Sequence, residues 1–286
     1  MIEKYSIRTD LALEQKERFE ADNVEIPGVV LEEEEDRERD IRVTTVRIET
    51  EKGAKIMGYL RRLLPADKDE FSVLVAGLGN RQVTPDALGP YVADNLNITR
   101  HIVKEYGKYA MGRERVCLLS AIVPGVMAQT GMETVEILRG VVREAKPDAV
   151  VAIDALAARN TRRLNRTVQI SDTGINPGSG IGNQRNAITQ KTVGVPVIAI
   201  GVPTVVDAAT IVNDAMENLI ASMESSDALK GVGVVLSGYS AAEKYELVKE
   251  LIAPHLNGMF VTPKDVDETV RRISFTISEA LNRLFA

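Results

Sequence analysis

The sequence predicts an α/β protein with three layers, in which helices flank a mostly parallel central sheet and a β-hairpin and C-terminal helices are added to it. Four short apolar runs, of the kind found in strands buried on both faces, recur along the chain. Segments with the apolar spacing of helices separate these runs. Since strand and helix alternate and 44% of the 286 residues are hydrophobic, a parallel sheet with one large core is the expected architecture.

The elements follow in order along the chain. Residues 1–40 form a predicted arm, and a hairpin is predicted over 41–63, with strands at 41–48 and 54–63 on either side of a turn. The predicted central strands are 71–76, 116–121, 149–154 and 195–200. The predicted helices are 133–142, 207–223, 241–252 and 267–285. The last helix carries an apolar stripe, which predicts a core face: Val270, Ile273, Ile277, Leu281 and Leu284.

Charge and hydropathy exclude several classes of partner. The net charge is −6, and seven acids and two bases lie in the acidic segment 31–40, which reads as an exposed linker or as a docking site for a basic partner. No basic stripe supports direct binding of nucleic acid. No uncharged apolar stretch is long enough to span a membrane, and 1–10 lacks the pattern of a signal peptide. The sequence therefore predicts a soluble, cytoplasmic protein.

Two acidic residues follow predicted strands at the positions where open α/β sheets bind their ligands. Asp86 follows a glycine-rich exit from the first central strand, and Asp154 closes the third. If these strands are neighbours, both carboxylates face one crevice, where such a pair can divide into a protonated and an ionised member and activate a water. Each acid also has a purely structural interpretation. Asp86 can be an acid at the start of a helix, stabilised by the helix dipole, and Asp154 can be a buried acid that is paired with another group.

Other chemistries have weaker support. The stretch after Gly77 lacks the third glycine of a dinucleotide fingerprint, and the chain has no P-loop, no HExxH and no GxSxG motif. Neither of the two histidines, His101 and His255, is placed by a motif. We therefore predict no cofactor and no bound metal. A glycine-rich loop at 172–186 is long enough to have a functional role.

The chain resembles the germination protease family of spore-forming bacteria along nearly its whole length. The strings that carry the resemblance are YSIRTDLALE (5–14), GLGNRQVTPDALGP (77–90), AIDALAAR (152–159), GINPGSGIGNQRN (174–186), GVPVIAIGVPTVVDA (194–208) and FVTPKDVD (260–267). A more distant likeness is to hydrogenase maturation peptidases, whose glycine-asparagine loop, here Gly79 and Asn80, places an acid six residues after the asparagine. That likeness implies the same α/β fold.

The resemblance implies an endopeptidase that starts the degradation of small acid-soluble spore proteins during germination. It implies that Asp86 and Asp154 are catalytic and that Gly79 and Asn80 form the supporting loop. The implied cleavage sites have the form TE, an apolar residue, Ala, a small residue and Glu, and are cut after the first Glu. The implied setting is the cytoplasm of the spore or forespore, and a homo-oligomer is expected.

The resemblance also implies a zymogen. Residues 9–14 read TDLALE, which is similar to the substrate pattern, so self-processing is expected between Asp10 and Leu11. The chain would then divide into a propeptide, 1–10, and a single peptidase domain, 11–286. The same segment can instead open a helix.

Arginines close to the proposed crevice in sequence are candidates to bind the glutamates of a substrate bidentately. They are Arg81, Arg159, Arg162, Arg163 and Arg185. Two alternatives to the leading interpretation stay open at this point. One is a metal-dependent peptidase of the maturation type, and the other is a non-catalytic α/β protein that binds a small ligand.

Overall fold

A mixed sheet of eight strands organises the chain. Its order is β1-β2-β6-β7-β5-β3-β4, with β8 paired to β7. In the computed structural model the strands are β1 (Val29–Asp36), β2 (Ile41–Ile48), β3 (Glu70–Gly77), β4 (Val116–Ile122), β5 (Ala149–Ala158), β6 (Thr167–Ser171), β7 (Val197–Asp207) and β8 (Phe260–Val261). The structure describes residues 29–36, 41–48, 58, 60, 61, 63, 64, 68–178, 185–256 and 258–285.

The four central strands, β7, β5, β3 and β4, are parallel to one another, as the alternating pattern predicts. The remaining strands extend this centre with antiparallel pairs. The four predicted central strands are thus confirmed, but two of them are longer than expected: β5 continues to Ala158 and β7 to Asp207. The short antiparallel strand β6 is absent from the sequence-based prediction.

Helices cover both faces of the sheet. They are α1 (Leu88–Asp94), α2 (Arg100–Tyr106), α3 (Met127–Thr130), α4 (Thr134–Ala145), α5 (Gln190–Val193), α6 (Ala208–Glu224), α7 (Lys230–Ser237), α8 (Ala241–Leu256) and α9 (Val266–Phe285). Side chains alternate between the faces of each strand, so Ile153 of β5 packs with α1 and α9, and its neighbour Ala152 packs with α4. The predicted stripe of α9 is core: Val270, Ile277 and Leu281 are fully buried.

The prediction of a hairpin over 41–63 was wrong, although its first strand is confirmed. β2 occupies 41–48 as expected, yet it pairs with β1, which runs through the acidic segment, and on its other side with β6. The described residues between 58 and 63 are helical instead. Residues 31–36 therefore belong to an edge strand, where a charged sequence is tolerated because it discourages pairing with another chain. Residues 37–40 and residues 1–28, which contain the predicted processing site at Asp10 and Leu11, lie outside the described residues.

Candidate active site

Asp86 is the last residue of a short 3-10 turn, Thr84–Asp86, between β3 and α1. Its backbone N–H donates to the carbonyl of Val83 at 2.8 Å. Its carboxylate accepts the backbone N–H of Asn80, with a nitrogen-to-Oδ2 distance of 2.7 Å. The loop therefore fixes both the main chain and the side chain of Asp86.

Two glycines allow this loop to fold tightly. Gly79 has a φ of +105°, and a Cβ there would lie 2.0 Å from the carbonyl oxygen of Asp86 and 3.0 Å from its Oδ1. Gly89, in the first turn of α1, approaches β5 so closely that a Cβ would lie 2.4 Å from the carbonyl oxygen of Ile153. Glycine at these positions lets the loop and α1 pack directly on the ends of two strands.

Asp154 lies where the pairing of β3 with β5 ends. The last pair between these strands joins Gly77 to Ile153, and β5 then continues with β7 alone, where Asp154 pairs with Gly201. The prediction that Asp154 closes its strand was therefore wrong, because the partner strand β3 ends there and β5 does not. Asp154 is buried, with 5% of its surface exposed, and its Oδ1 accepts the N–H of Ala155 at 2.9 Å.

The structure brings both acids to the same edge of the sheet. The N–H of Leu78 donates to the carbonyl of Ile153 at 2.8 Å, so the loop that leads to Asp86 starts beside Asp154. The turn that ends at Asp86 packs against β5 and β7. Both residues thus lie at the carboxyl ends of the parallel strands, where ligands of such sheets bind.

The surroundings of Asp86 shift its pKa upward from the ordinary value of a carboxyl group. Burial raises its pKa to about 6, while the N–H of Asn80 and the positive charge of Arg185 act in the opposite direction. A carboxyl group with such a pKa exists in both protonation states near pH 6, so it can accept or donate a proton in a reaction. Perturbed acids of this kind cluster at functional sites.

Of the five predicted arginines, Arg185 has the most direct connection to the acid pair. Hydrogen bonds between Ile175 and Ile188 close the base of the glycine-rich loop, of which 179–184 lie outside the described residues. Arg185 follows on the returning side, half-buried, and its Nε is buried without a hydrogen-bond partner among the described residues. Its charge acts on Asp86. It is therefore the arginine best placed to meet an anionic group at this site.

The other arginines are placed differently. Arg81 forms a half-exposed ion pair with Asp94 at the end of α1. Arg159 follows the end of β5, and Arg162 and Arg163 lie in the 3-10 turn Thr161–Arg163. Asp214 of α6 anchors that turn by accepting the N–H and the hydroxyl of Thr161, both at 2.8 Å. These three arginines therefore lie on the connection that follows β5, the strand that contains Asp154.

Two residues around the acid pair have no place in the sequence-based prediction. Gln129 of α3 donates its side-chain amide to Oδ1 of Asn80 at 3.2 Å, and no pattern in the sequence points to it. Thr204 of β7 donates its hydroxyl to the carbonyl of Pro85 at 2.6 Å. A single polar residue within the apolar stretch 202–206 is a signal that could have drawn attention to Thr204.

In the part of the chain that the structure describes, no group of three or more His, Cys, Asp or Glu side chains is arranged to hold a metal ion. Within the same residues, no helix combines the length and the apolar character needed to cross a bilayer.

Replacing Arg185 by glutamine is expected to raise the pKa of Asp86 above its value of about 6, because the variant removes a positive charge that favours the carboxylate. The measurement is a pH titration of the Asp86 carboxyl carbon by NMR. Arg143→Gln, on the exposed side of α4, is the control and should leave the titration unchanged. An unchanged Asp86 midpoint in the Arg185 variant would show that the two groups do not interact.

Comparison with known proteins gives a consistent result over the whole chain. The family model for germination proteases matches residues 59–230. A germination protease of Caldanaerobacter subterraneus subsp. tengcongensis is 44% identical, over 99% of this chain and 95% of its own length. Those of Clostridium tetani and Bacillus subtilis are 43% and 36% identical, over 97% and 98% of this chain and 94% of their own lengths.

A solved structure is also similar to this chain. It is a [NiFe] hydrogenase maturation protease, HycI, from Thermococcus kodakarensis KOD1, with 16% sequence identity and a TM-score of 0.32. The match covers 74% of this chain and 92% of that one.

Proposed function

The chain belongs to the germination protease family, and from this premise we propose that it is the endopeptidase that begins the degradation of small acid-soluble spore proteins during germination. The observation that carries the proposal is the acid pair, in which Asp86 has a pKa of about 6 and lies at the same sheet edge as buried Asp154. The proposed setting is the cytoplasm of the spore or forespore.

The proposed mechanism is aspartate-dependent. One carboxylate removes a proton from a water molecule, whose oxygen then attacks the scissile carbonyl carbon, while the other carboxyl group hydrogen-bonds the carbonyl oxygen. The carbon–nitrogen bond then breaks, and the leaving amine takes a proton from a carboxyl group of the pair. Asp86 suits the proton transfers because its pKa lies near the working pH of a cytoplasmic enzyme.

Substrate selection is proposed to rest on acidic side chains of the substrate. An extended peptide segment enters the crevice, and cleavage follows the first Glu of a site of the form TE, apolar, Ala, small, Glu. Arg185 is the favoured partner for such a glutamate, because it is half-buried, acts on Asp86 and has a buried Nε available for a hydrogen bond. Arg159, Arg162 and Arg163 are further candidates, and so is Arg81, which pairs with Asp94.

The N-terminal segment is proposed to be a propeptide. The sequence TDLALE at 9–14 is similar to the proposed substrate sites, which supports self-processing between Asp10 and Leu11. The mature enzyme is then the single domain 11–286.

Self-association into a homo-oligomer is proposed from the surface of the last third of the chain. Large apolar side chains are exposed on α6, α7 and α8 and on the connections between them: Leu219, Leu229, Val232, Val234, Val235, Tyr239, Leu247 and Leu251. Apolar surface of this extent is commonly covered by another protein, and a second copy of this chain is the proposed occupant. Light scattering with Val234→Glu and Val235→Glu variants tests it, and an unchanged mass in both would contradict it.

The experiment that tests the function is cleavage of a purified small acid-soluble spore protein, followed by mass spectrometry. The enzyme begins at Leu11, and the full-length chain is incubated in parallel. We expect cuts after Glu at the proposed sites and, for the full-length chain, a new N-terminus at Leu11. No cut by the enzyme that begins at Leu11 would contradict the proposed activity, and a mature start at another residue would contradict the processing site.

A further inference from the structure

Strand β7 contains an irregularity beside the acid pair. Its register with β5 joins Leu156 to Pro203 and then Ala157 to Val205, so Thr204 has no partner in β5. A bulge of this kind leaves one residue out of the ladder and redirects its side chain, and bulges are common next to active sites. Thr204 is nevertheless buried, with 1% of its surface exposed. Its redirected side chain must therefore have an internal contact.

That contact is the turn that carries Asp86. The hydroxyl of Thr204 donates to the carbonyl oxygen of Pro85 at 2.6 Å, across 119 positions of sequence. The carbonyl of Thr204 in turn accepts the hydroxyl of Thr262, which follows β8, at 2.9 Å. Thr262 thus fixes the main chain of Thr204, and the side chain of Thr204 fixes the turn that carries Asp86.

The bond acts on the peptide group of Asp86 itself. The carbonyl of Pro85 and the N–H of Asp86 belong to one planar peptide unit. Thr204 holds the carbonyl end of this unit, and Val83 accepts the N–H at 2.8 Å. With both ends held, the plane from which the Asp86 side chain projects cannot rotate freely.

The same strand pair holds the other acid. Asp154 of β5 pairs with Gly201 of β7, three residues before Thr204. The bulge therefore ties the position of Asp86 to the strands that position Asp154. We infer that Thr204 is a positioning residue, which sets the geometry between the two acids; this inference rests on the proposed peptidase function.

The test compares three variants of the enzyme that begins at Leu11. Thr204→Val keeps the shape but removes the hydroxyl, and Thr204→Ser keeps the hydroxyl. Thr99→Val is the matched control, because Thr99 is also buried and its hydroxyl bonds Cys117 and Leu119, away from the acid pair. Each is measured for kcat and KM on the spore protein, for thermal unfolding and for hydrogen exchange of residues 78–90.

A positioning role predicts a specific combination of results. Thr204→Val lowers kcat roughly 10- to 100-fold with KM changed less than about twofold, since a small misplacement of a catalytic group has effects of that size. Exchange of the Asp86 amide becomes faster in that variant. Thr204→Ser keeps most of kcat and the slow exchange, and Thr99→Val loses thermal stability while keeping kcat.

Two results would overturn the inference: a Thr204→Val enzyme with parental kcat, or a serine variant as impaired as the valine variant. Should Thr204→Val not fold, Thr204→Cys takes its place, because a thiol is only a weak donor. We expect its kcat to be lower than that of the parent but still measurable. Failure of the parent to cut the spore protein would contradict the proposed function instead. In that case unchanged exchange at residues 78–90 in Thr204→Val still refutes the positioning role.

Discussion

Asp86→Asn is expected to lose about 10³-fold in cleavage rate and, at pH 8, to be more stable to unfolding than the parent. The loss of rate follows because asparagine can neither accept nor donate the proton that the reaction moves. The gain in stability follows because the folded protein keeps this carboxyl in surroundings that disfavour its charge. A residue with a purely structural role would give the opposite change in stability.

The sign and size of the stability change come from the pKa of Asp86. Folding raises it from an ordinary value of 3.8 to about 6, so the folded state binds the proton more tightly than the unfolded chain does. The ionised carboxylate therefore destabilises the fold above about pH 6, and this effect disappears as the pH falls below 3.8. A difference of one between the folded and unfolded pKa corresponds to about 1.4 kcal/mol, so the upper limit of the gain for Asp86→Asn at pH 8 is about 3 kcal/mol.

The measurement is urea unfolding at pH 8 and pH 4, together with the cleavage assay. Asp148→Asn is the matched control, because Lys68 and the N–H of Ser72 bind that carboxylate and its pKa is lowered. The control should lose stability at pH 8 and keep its activity. Asp154→Asn should lose activity as Asp86→Asn does. An active Asp86→Asn enzyme would remove Asp86 from the mechanism.

Gly89→Ala is expected to lower both the stability and the activity. A Cβ at this position would lie 2.4 Å from the carbonyl oxygens of Ile153 and Leu78 and 2.5 Å from the N–H nitrogen of Leu78. These are backbone atoms of the strands and loop around the acid pair, so α1 must move away from them. Overpacking of this kind has an effect of about 1–3 kcal/mol, and displacement of the adjoining Asp86 turn should reduce kcat about 10²-fold.

Gly140→Ala provides the control for Gly89→Ala, since Gly140 is also helical and a Cβ there would meet no atom within 4 Å. This exposed change should stabilise the protein by about 0.5–1 kcal/mol through helix propensity and leave cleavage unchanged. Equal unfolding temperatures for the two variants would show that the close approach at Gly89 has no structural importance.

The sequence allowed the central sheet, and the placement of Asp86 and Asp154 at one edge of it, to be predicted because both depend on local patterns. The buried parallel strands are continuous apolar runs, and α9 has a clear apolar stripe. Asp86 and Asp154 follow from the rule that ligands bind at the carboxyl ends of such strands. The family resemblance then added what the residues alone left open, the class of reaction.

The features that could not be predicted depend on distant parts of the chain. Nothing in a run of glutamates indicates a strand, and β1 exists because β2 offers it a free edge. β6 mixes polar and apolar residues over five positions, too few for a clear pattern. Likewise, Arg81 is committed to Asp94 and Thr204 to Pro85 through contacts that only the folded chain creates.

The antiparallel edge has a consequence for the order in which the chain acquires its structure. β2 pairs with β6, so Arg47 meets Thr167 about 120 residues later in the chain. A nascent chain exposes the hairpin long before the ribosome has made the strand that receives it. Closing a long loop costs entropy before the new contacts offset it, and a parallel centre that has already formed shortens the loop that is left to close. We therefore expect the β1–β2 hairpin to dock after the parallel centre, which carries Asp86 and Asp154, has formed.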